Sequence, residues 1–177
     1  MFRTIFFALF CVTACAAPAA QVGDPPPPSP GGSSAELPDF TLDTIDGERF
    51  RLSDHVGKEV IVLSFWATWC MPCLAELPHL EELYQAEKPQ GLMVVAISMD
   101  EPTSVSEVGP TARRLGLTMP VVLDTEQRAV RLYNRARSAP FTVVIDRGGR
   151  IVSSSAGYAP GDEEALSTQV RALLGGA

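Results

Sequence analysis

The chain has 177 residues, 46% of them hydrophobic and 20% charged, with a formal net charge of -7. This describes one ordinary globular domain with short extras, large enough to sustain a core without staples. The acidity excludes a nucleic-acid partner, because phosphate binding needs a dense basic patch and no basic cluster exceeds the pair Arg113 and Arg114.

The N-terminus, MFRTIFFALFCVTACAAPAA, has one early Arg, an apolar run over 5–14 and then small residues. This is the layout of a secretory signal, too short to persist as a spanning helix. Val12-Thr13-Ala14-Cys15 matches a bacterial lipobox, in which the cysteine becomes the lipid-modified first residue of the mature protein. Ordinary cleavage after Ala16 or Ala19 is the alternative, and both imply export. We therefore assign 1–15 as a signal peptide with lipobox. Residues 16–36, rich in Pro, Gly and Ser, bury too little apolar surface to fold and form a linker. The folded domain is expected over 37–177.

Within it, two short alternating runs around Asp46-Gly47 predict a hairpin over 40–52. VIVLSF (60–65) and LMVVAIS (92–98) are continuous apolar strands of the kind buried on both faces. Three shorter strands follow at 120–124, 141–146 and 150–156, the last two joined through Arg147-Gly148-Gly149. Helices are expected over 70–87, 104–115, 127–134 and 162–174, with Pro110 leaving the start of the second open. Alternating strands and helices mean a mixed α/β sheet covered on both faces.

Cys70 and Cys73 stand two residues apart where the strand over 60–65 passes through WATW into the next helix. Cys70 opens that helix, where free backbone N–H groups and the helix dipole favour a thiolate. At about 100° per residue, Cys73, Leu77, Leu80, Leu83 and Tyr84 form one buried stripe, with Glu76 at its edge one turn from Cys73. Pro78 is expected to kink the helix. A zinc site would have only Cys70, Cys73, His55 and His79 to draw on, and His79 points away from the stripe, so no metal is called for. Both histidines read as solvated surface residues. A staple across two intervening residues removes little unfolded-state entropy. In an exported protein the pair is best read as an exchangeable dithiol/disulfide. Trp66 reads as core, and Trp69, beside Cys70, as a docking surface.

The pieces FTLDTIDGERFRLSD, GKEVIVLSFWATWCMPC, Cys70-x-x-Cys73-x-x-Glu76-x-Pro78, VVAISMD, PVVLD and APFTVVIDRGGRIV together resemble the thioredoxin superfamily, and within it the TlpA/ResA-like membrane-tethered thiol-disulfide oxidoreductases. The resemblance implies a thioredoxin-like mixed sheet with an N-terminal hairpin and a central insertion. It makes Cys70 the attacking thiol and Cys73 the resolving one, with Glu76 as the acid that accepts or relays a proton; thioredoxin proper keeps its acid where this chain has Ser64. Met71 and Pro72 then help set the potential and the docking surface. Ala139 and Pro140 look like the family's cis-proline loop, which pairs with substrate backbone, although Phe141 stands where the family usually has Thr or Ser. The implied partners are exported protein disulfides, apocytochrome c among them, a membrane thiol carrier as electron donor, and the membrane itself through the lipid on Cys15. No cofactor is implied. A peroxiredoxin shares this fold but carries Pro-x-x-x-Thr-x-x-Cys, and the two matching positions here are Leu63 and Ala67. A tethered binding module with an inert disulfide is the remaining alternative.

Overall fold

Two runs of apolar, largely β-branched residues build the centre of the sheet. In the computed structural model, which describes residues 37–175, these are β3 (Val60–Trp66) and β4 (Leu92–Ser98), paired in parallel with Val60 opposite Leu92. Every residue of both strands is buried. Since successive side chains point to opposite faces, both faces of the sheet are covered.

The N-terminal hairpin is β1 (Thr41–Thr44) and β2 (Arg49–Arg51). Gly47 takes a φ of +82° in its turn, and the Thr44 hydroxyl accepts the N–H groups of Asp46 and Glu48. Strand β5 (Val121–Leu123) joins this hairpin to β4, and β6 (Phe141–Ile145) and β7 (Ile151–Ala156) extend the sheet on the other side, beyond β3. The sheet has seven strands in the order β2-β1-β5-β4-β3-β6-β7. The β4–β5 pair is parallel; β1–β2, β1–β5, β3–β6 and β6–β7 are antiparallel.

Four helices complete the domain: α1 (Met71–Glu87), α2 (Val108–Arg114), α3 (Arg128–Tyr133) and α4 (Asp162–Gly175). Helices α1 and α4 touch, joined by an ion pair of 2.7 Å between Arg171 and Glu87, and they lie against β4 and β3. The helix expected over 104–115 divides into a 3-10 turn, Val105–Glu107, and α2. Pro110 falls in the first turn of α2, where a missing N–H costs no intrahelical bond. Helix α1 runs on through Pro78 to Glu87.

The insertion between β4 and α3 is fastened by one buried acid. Glu81 of α1 accepts the N–H groups of Thr118 at 2.9 Å and Met119 at 3.0 Å, and the Thr118 hydroxyl. Burial pushes the Glu81 carboxyl up, but these bonds and one from Gln85 outweigh it and hold the group below the usual carboxylate range. The hairpin is fastened by its inner aromatic face: Phe40 packs edge-on against Tyr133, and Phe50 lies on Phe40 and stacks with His55 at 4.8 Å. His55 is therefore a half-buried packing residue whose Nδ1 pairs with Glu59, not the solvated one expected.

Candidate functional site

Strand β3 ends at Trp66, and the loop 67–69 brings the chain to the surface at Trp69 and turns it into α1. Cys70 is the N-cap, and its Sγ accepts the N–H of Cys73 at 3.3 Å, the position that a hydroxyl oxygen takes in a commoner cap. Pro72 lies in the first turn, where its fixed φ and missing N–H suit a helix start. Cys70 and Cys73 form a disulfide, with Cα atoms 5.3 Å apart. Cys70 is 4% exposed and Cys73 fully buried, so Cys70 offers the sulfur nearer the solvent.

Around the disulfide the surface is apolar. Trp69 and Met71 are 67% and 73% exposed, and Pro72 is exposed beside them. Trp66, two residues into the interior from Thr68, is wholly buried and belongs to the core as expected.

The second wall comes from β6. Its register sets Phe141 opposite Phe65, so Pro140 emerges at the end of β3 from which the chain leaves for Cys70. The Ala139–Pro140 bond is cis. Pro140 is buried and its carbonyl accepts the N–H of Gly157 at 2.8 Å. Ala139 is half-buried, and among the described residues no hydrogen bond takes up its backbone groups. Asn134 fixes the preceding loop: its Nδ2 donates to Ser138 O at 2.7 Å and its Oδ1 accepts Ser138 N–H at 3.1 Å. The ring of Phe141 lies 6.2 Å from that of Phe65 and is half-buried, so this bulky residue turns in part toward the core.

Glu76 sits deeper than the helical wheel suggests. It is 7% exposed, its Oε1 accepts the Thr142 hydroxyl at 3.2 Å, and its Oε2 is buried with no protein partner. Burial pushes the carboxyl up to about 7, the Thr142 bond opposes this, and the charge of Asp162 adds to it. Ser64, opposite Thr142 in the β3–β6 register and so on the same face, adds a second buried hydroxyl with no protein partner. Glu76 also lines a groove of about 300 Å³ between α1, β6–β7 and α4, together with His79, Thr142, Tyr158 and Asp162. His79 lines the edge of this groove with its ring 6.3 Å from that of Tyr158, and its side chain remains 42% exposed, in keeping with the solvated position expected from its place on the helix.

The structure thus brings Cys70, Cys73 and Glu76 onto one helix, faces them with Thr142 and ends the neighbouring strand at Pro140. Trp69, Met71 and Pro72 surround the opening. Sequence reasoning missed Thr142 and Asn134. Thr142 had a detectable signal, a hydroxyl in an otherwise apolar strand run; Asn134 is a single polar residue at the end of α3, with no periodicity to mark it. Cys15 lies outside the described residues.

The model of the AhpC/TSA family matches residues 34–154. The thiol-disulfide oxidoreductase ResA of Geobacillus kaustophilus is 42% identical over 120 residues, which cover 68% of this chain and 66% of that protein, so the match spans about two thirds of the relative's length. Among solved structures, a Chlorobium tepidum protein assigned as a thiol:disulfide interchange protein DsbE superposes with a TM-score of 0.71 at 32% identity, covering 78% of this chain and 95% of that one. The exposed lipoprotein thioredoxin of Streptococcus pneumoniae superposes with a TM-score of 0.65 at 28% identity, covering 77% of this chain and all of that one. The fold is the thioredoxin-like one, with its hairpin and insertion.

Proposed function

Because this chain belongs to the AhpC/TSA family and is ResA-like within it, we propose that it is an exported thiol-disulfide oxidoreductase that reduces protein disulfides through Cys70 and Cys73. The observation that carries this reading is the Cys70–Cys73 disulfide at the start of α1, ringed by the exposed apolar residues Trp69 and Met71. In the reduced protein the Cys70 thiolate is stabilised by the helix N-terminus and attacks one sulfur of a client disulfide. A mixed disulfide forms and the other client sulfur leaves as thiolate. Cys73 then gives its proton to Glu76 and attacks Cys70 Sγ, which restores the internal disulfide and releases the second client thiolate. Two electrons pass from the dithiol to the client. Trp69, Met71 and Pro72 supply the contact area, and the free backbone groups of Ala139, held up by cis Pro140, pair with client backbone.

A peroxiredoxin shares this fold, and the site argues against peroxidase chemistry here. Leu63 and Ala67 occupy the positions of the peroxidase Pro and Thr, both buried and neither carrying a hydroxyl. The hydroxyl of Thr68, two residues before Cys70, donates to Asp100. The test is a parallel assay of the reduced protein against a protein disulfide and hydrogen peroxide. Client reduction should be lost in Cys70→Ser, while peroxide consumption should be slow and nearly the same in wild type and variant. Fast peroxide turnover that requires Cys70 would reverse the assignment, and client reduction that survives Cys70→Ser would remove it.

The working place we propose is the outer side of a membrane, with Cys15 lipidated, the 16–36 segment as tether, and a membrane thiol carrier as electron source. Among the described residues no helix is long and apolar enough to cross a membrane, so this anchoring rests on the lipobox. Apocytochrome c, whose paired thiols must be reduced outside the cytoplasm, is a client of the required kind. Cys15→Ser should move the protein from the membrane fraction to the soluble fraction or leave it unprocessed. Native protein recovered soluble and beginning at Ala17 or later would overturn the anchor.

A further inference from the structure

The loop 67–69 that presents Cys70 is a single turn, closed by Cys70 N–H on Ala67 O at 3.0 Å, and the end of β4 ties that turn to the rest of the fold. Met99 N–H donates to Trp66 O at 2.8 Å. One residue further on, the buried carboxylate of Asp100 accepts the Thr68 N–H at 3.0 Å on Oδ2 and the Thr68 hydroxyl at 2.6 Å on Oδ1. Asp100 is itself fixed: Ser98 Oγ donates to its Oδ2 at 3.0 Å, and its own N–H donates to Ser98 Oγ at 3.1 Å. The same turn reaches the opposite wall, since Asn134 Nδ2 approaches Met99 Sδ at 3.5 Å while holding Ser138, just before cis Pro140. The exit of β4 thus grips both loops that frame the disulfide.

We propose that Asp100 is a positioning residue of the redox centre, which acts through Thr68 to hold Cys70 at the N-cap of α1. A thiolate at an N-cap depends on its alignment with the first N–H groups of the helix, here Cys73 N–H at 3.3 Å from Cys70 Sγ. Thr68 is two residues away, so freeing its backbone loosens that alignment. The proposal rests on Cys70 being the attacking thiol.

Two opposed effects give a clean test. On the proposal, loss of the grip weakens stabilisation of the thiolate and slows Cys70; if Asp100 acted through its charge instead, losing that charge would relieve repulsion and speed it. Asp100→Asn removes the charge but preserves the geometry, because the amide oxygen accepts from Thr68 N–H and Ser98 while its NH₂ donates to the Thr68 hydroxyl. Asp100→Ala removes both. Full-length reduced protein would be alkylated across a pH series, with the adducts on Cys70 and Cys73 resolved by mass and folding checked by thermal unfolding. Asp100→Ala should slow Cys70 alkylation at pH 7 by about 10-fold, with the rate at high pH unchanged, while Asp100→Asn stays within about 2-fold of wild type. Thr68→Val should shift the rate in the same direction, and adding Asp100→Ala to it should give little more. The Thr68→Val comparison stands alone if Asp100→Ala fails to fold. An unchanged Cys70 rate in Asp100→Ala or Thr68→Val leaves only a structural role and overturns the proposal, and faster alkylation in both Asp100 variants assigns the effect to charge and overturns it too. A wild-type Cys70 that reacts no faster than Cys73 sinks the underlying assignment of Cys70 instead.

Discussion

Replacing Cys73 by alanine should convert the protein from a catalyst into a trap. Cys70 keeps its N-cap position and its access to solvent, so the first attack on a client disulfide proceeds. The second step has lost its nucleophile. In the intact protein that nucleophile is fully buried and bonded directly to Cys70 Sγ in the oxidised state, the limit of preorganisation for an intramolecular attack. A dissolved thiol must replace it by diffusion into a site whose second sulfur lies in the core. Steady-state client reduction should therefore fall by at least about 10³-fold, while a covalent adduct on Cys70 accumulates toward one per molecule. The adduct should disappear on addition of strong reductant and be absent in Cys70→Ala. Expressed in the native host, Cys73→Ala should carry its clients with it, and their identity would decide between apocytochrome c and a broader set. Adducts that form equally on Cys73 in Cys70→Ala would reverse the two roles.

How far the sequence leads depends on the range of the forces that fix each element. Strands β3 and β4 are legible because their own residues suffice: continuous apolar, β-branched runs that only a doubly covered strand accommodates. The start of α1 is legible for a local reason as well, with Cys70 as cap and Pro72 in the first turn. Strand β5 is different. Its three residues are recognisable, but their role as the strand that carries the hairpin onto the sheet depends on pairing Asp43 and Thr44 with Leu123 and Val122, some eighty residues away. The site divides in the same way. Helical periodicity puts Glu76 near Cys73, while its depth is set by β6 and by α4, which closes over that face from the other end of the chain. The groove beside His79 is hidden from the sequence for the same reason, since Tyr158 and α4 make it. A wheel drawn for one helix cannot show what a later helix covers.

The Glu76 carboxyl turns that depth into chemistry, and Glu76→Gln should expose it. Folding raises this group from 4.5 to about 7, chiefly by burial. At neutral pH it is thus divided between acid and base, as a proton carrier for a thiol requires. In the proposed second step its ionised form takes the proton of Cys73 as that thiol attacks the mixed disulfide, and its Oε2, with no protein partner, is the oxygen we assign to that transfer. The rate of resolution in wild type should therefore rise with pH through about 7, with the coupled Cys73 and Glu76 pair titrating together. Glutamine keeps the shape and an acceptor for Thr142 but cannot take a proton, so the rise near 7 should vanish and resolution at pH 7 should fall on the order of 10²-fold. The first attack by Cys70 should change far less. Stability gives a second readout with a definite sign. Because the folded oxidised protein binds this proton more tightly than the unfolded chain, the favourable contribution is complete below pH 4.5 and is lost as pH rises through about 7. The total change is on the order of 3 kcal/mol, which glutamine should abolish. Single-turnover resolution and denaturant midpoints, both taken across pH 4 to 9, make the measurement. A wild-type protein whose resolution rate and stability pass through pH 7 unchanged, and match Glu76→Gln, would leave Cys73 without its proton acceptor and the proposed second step without support.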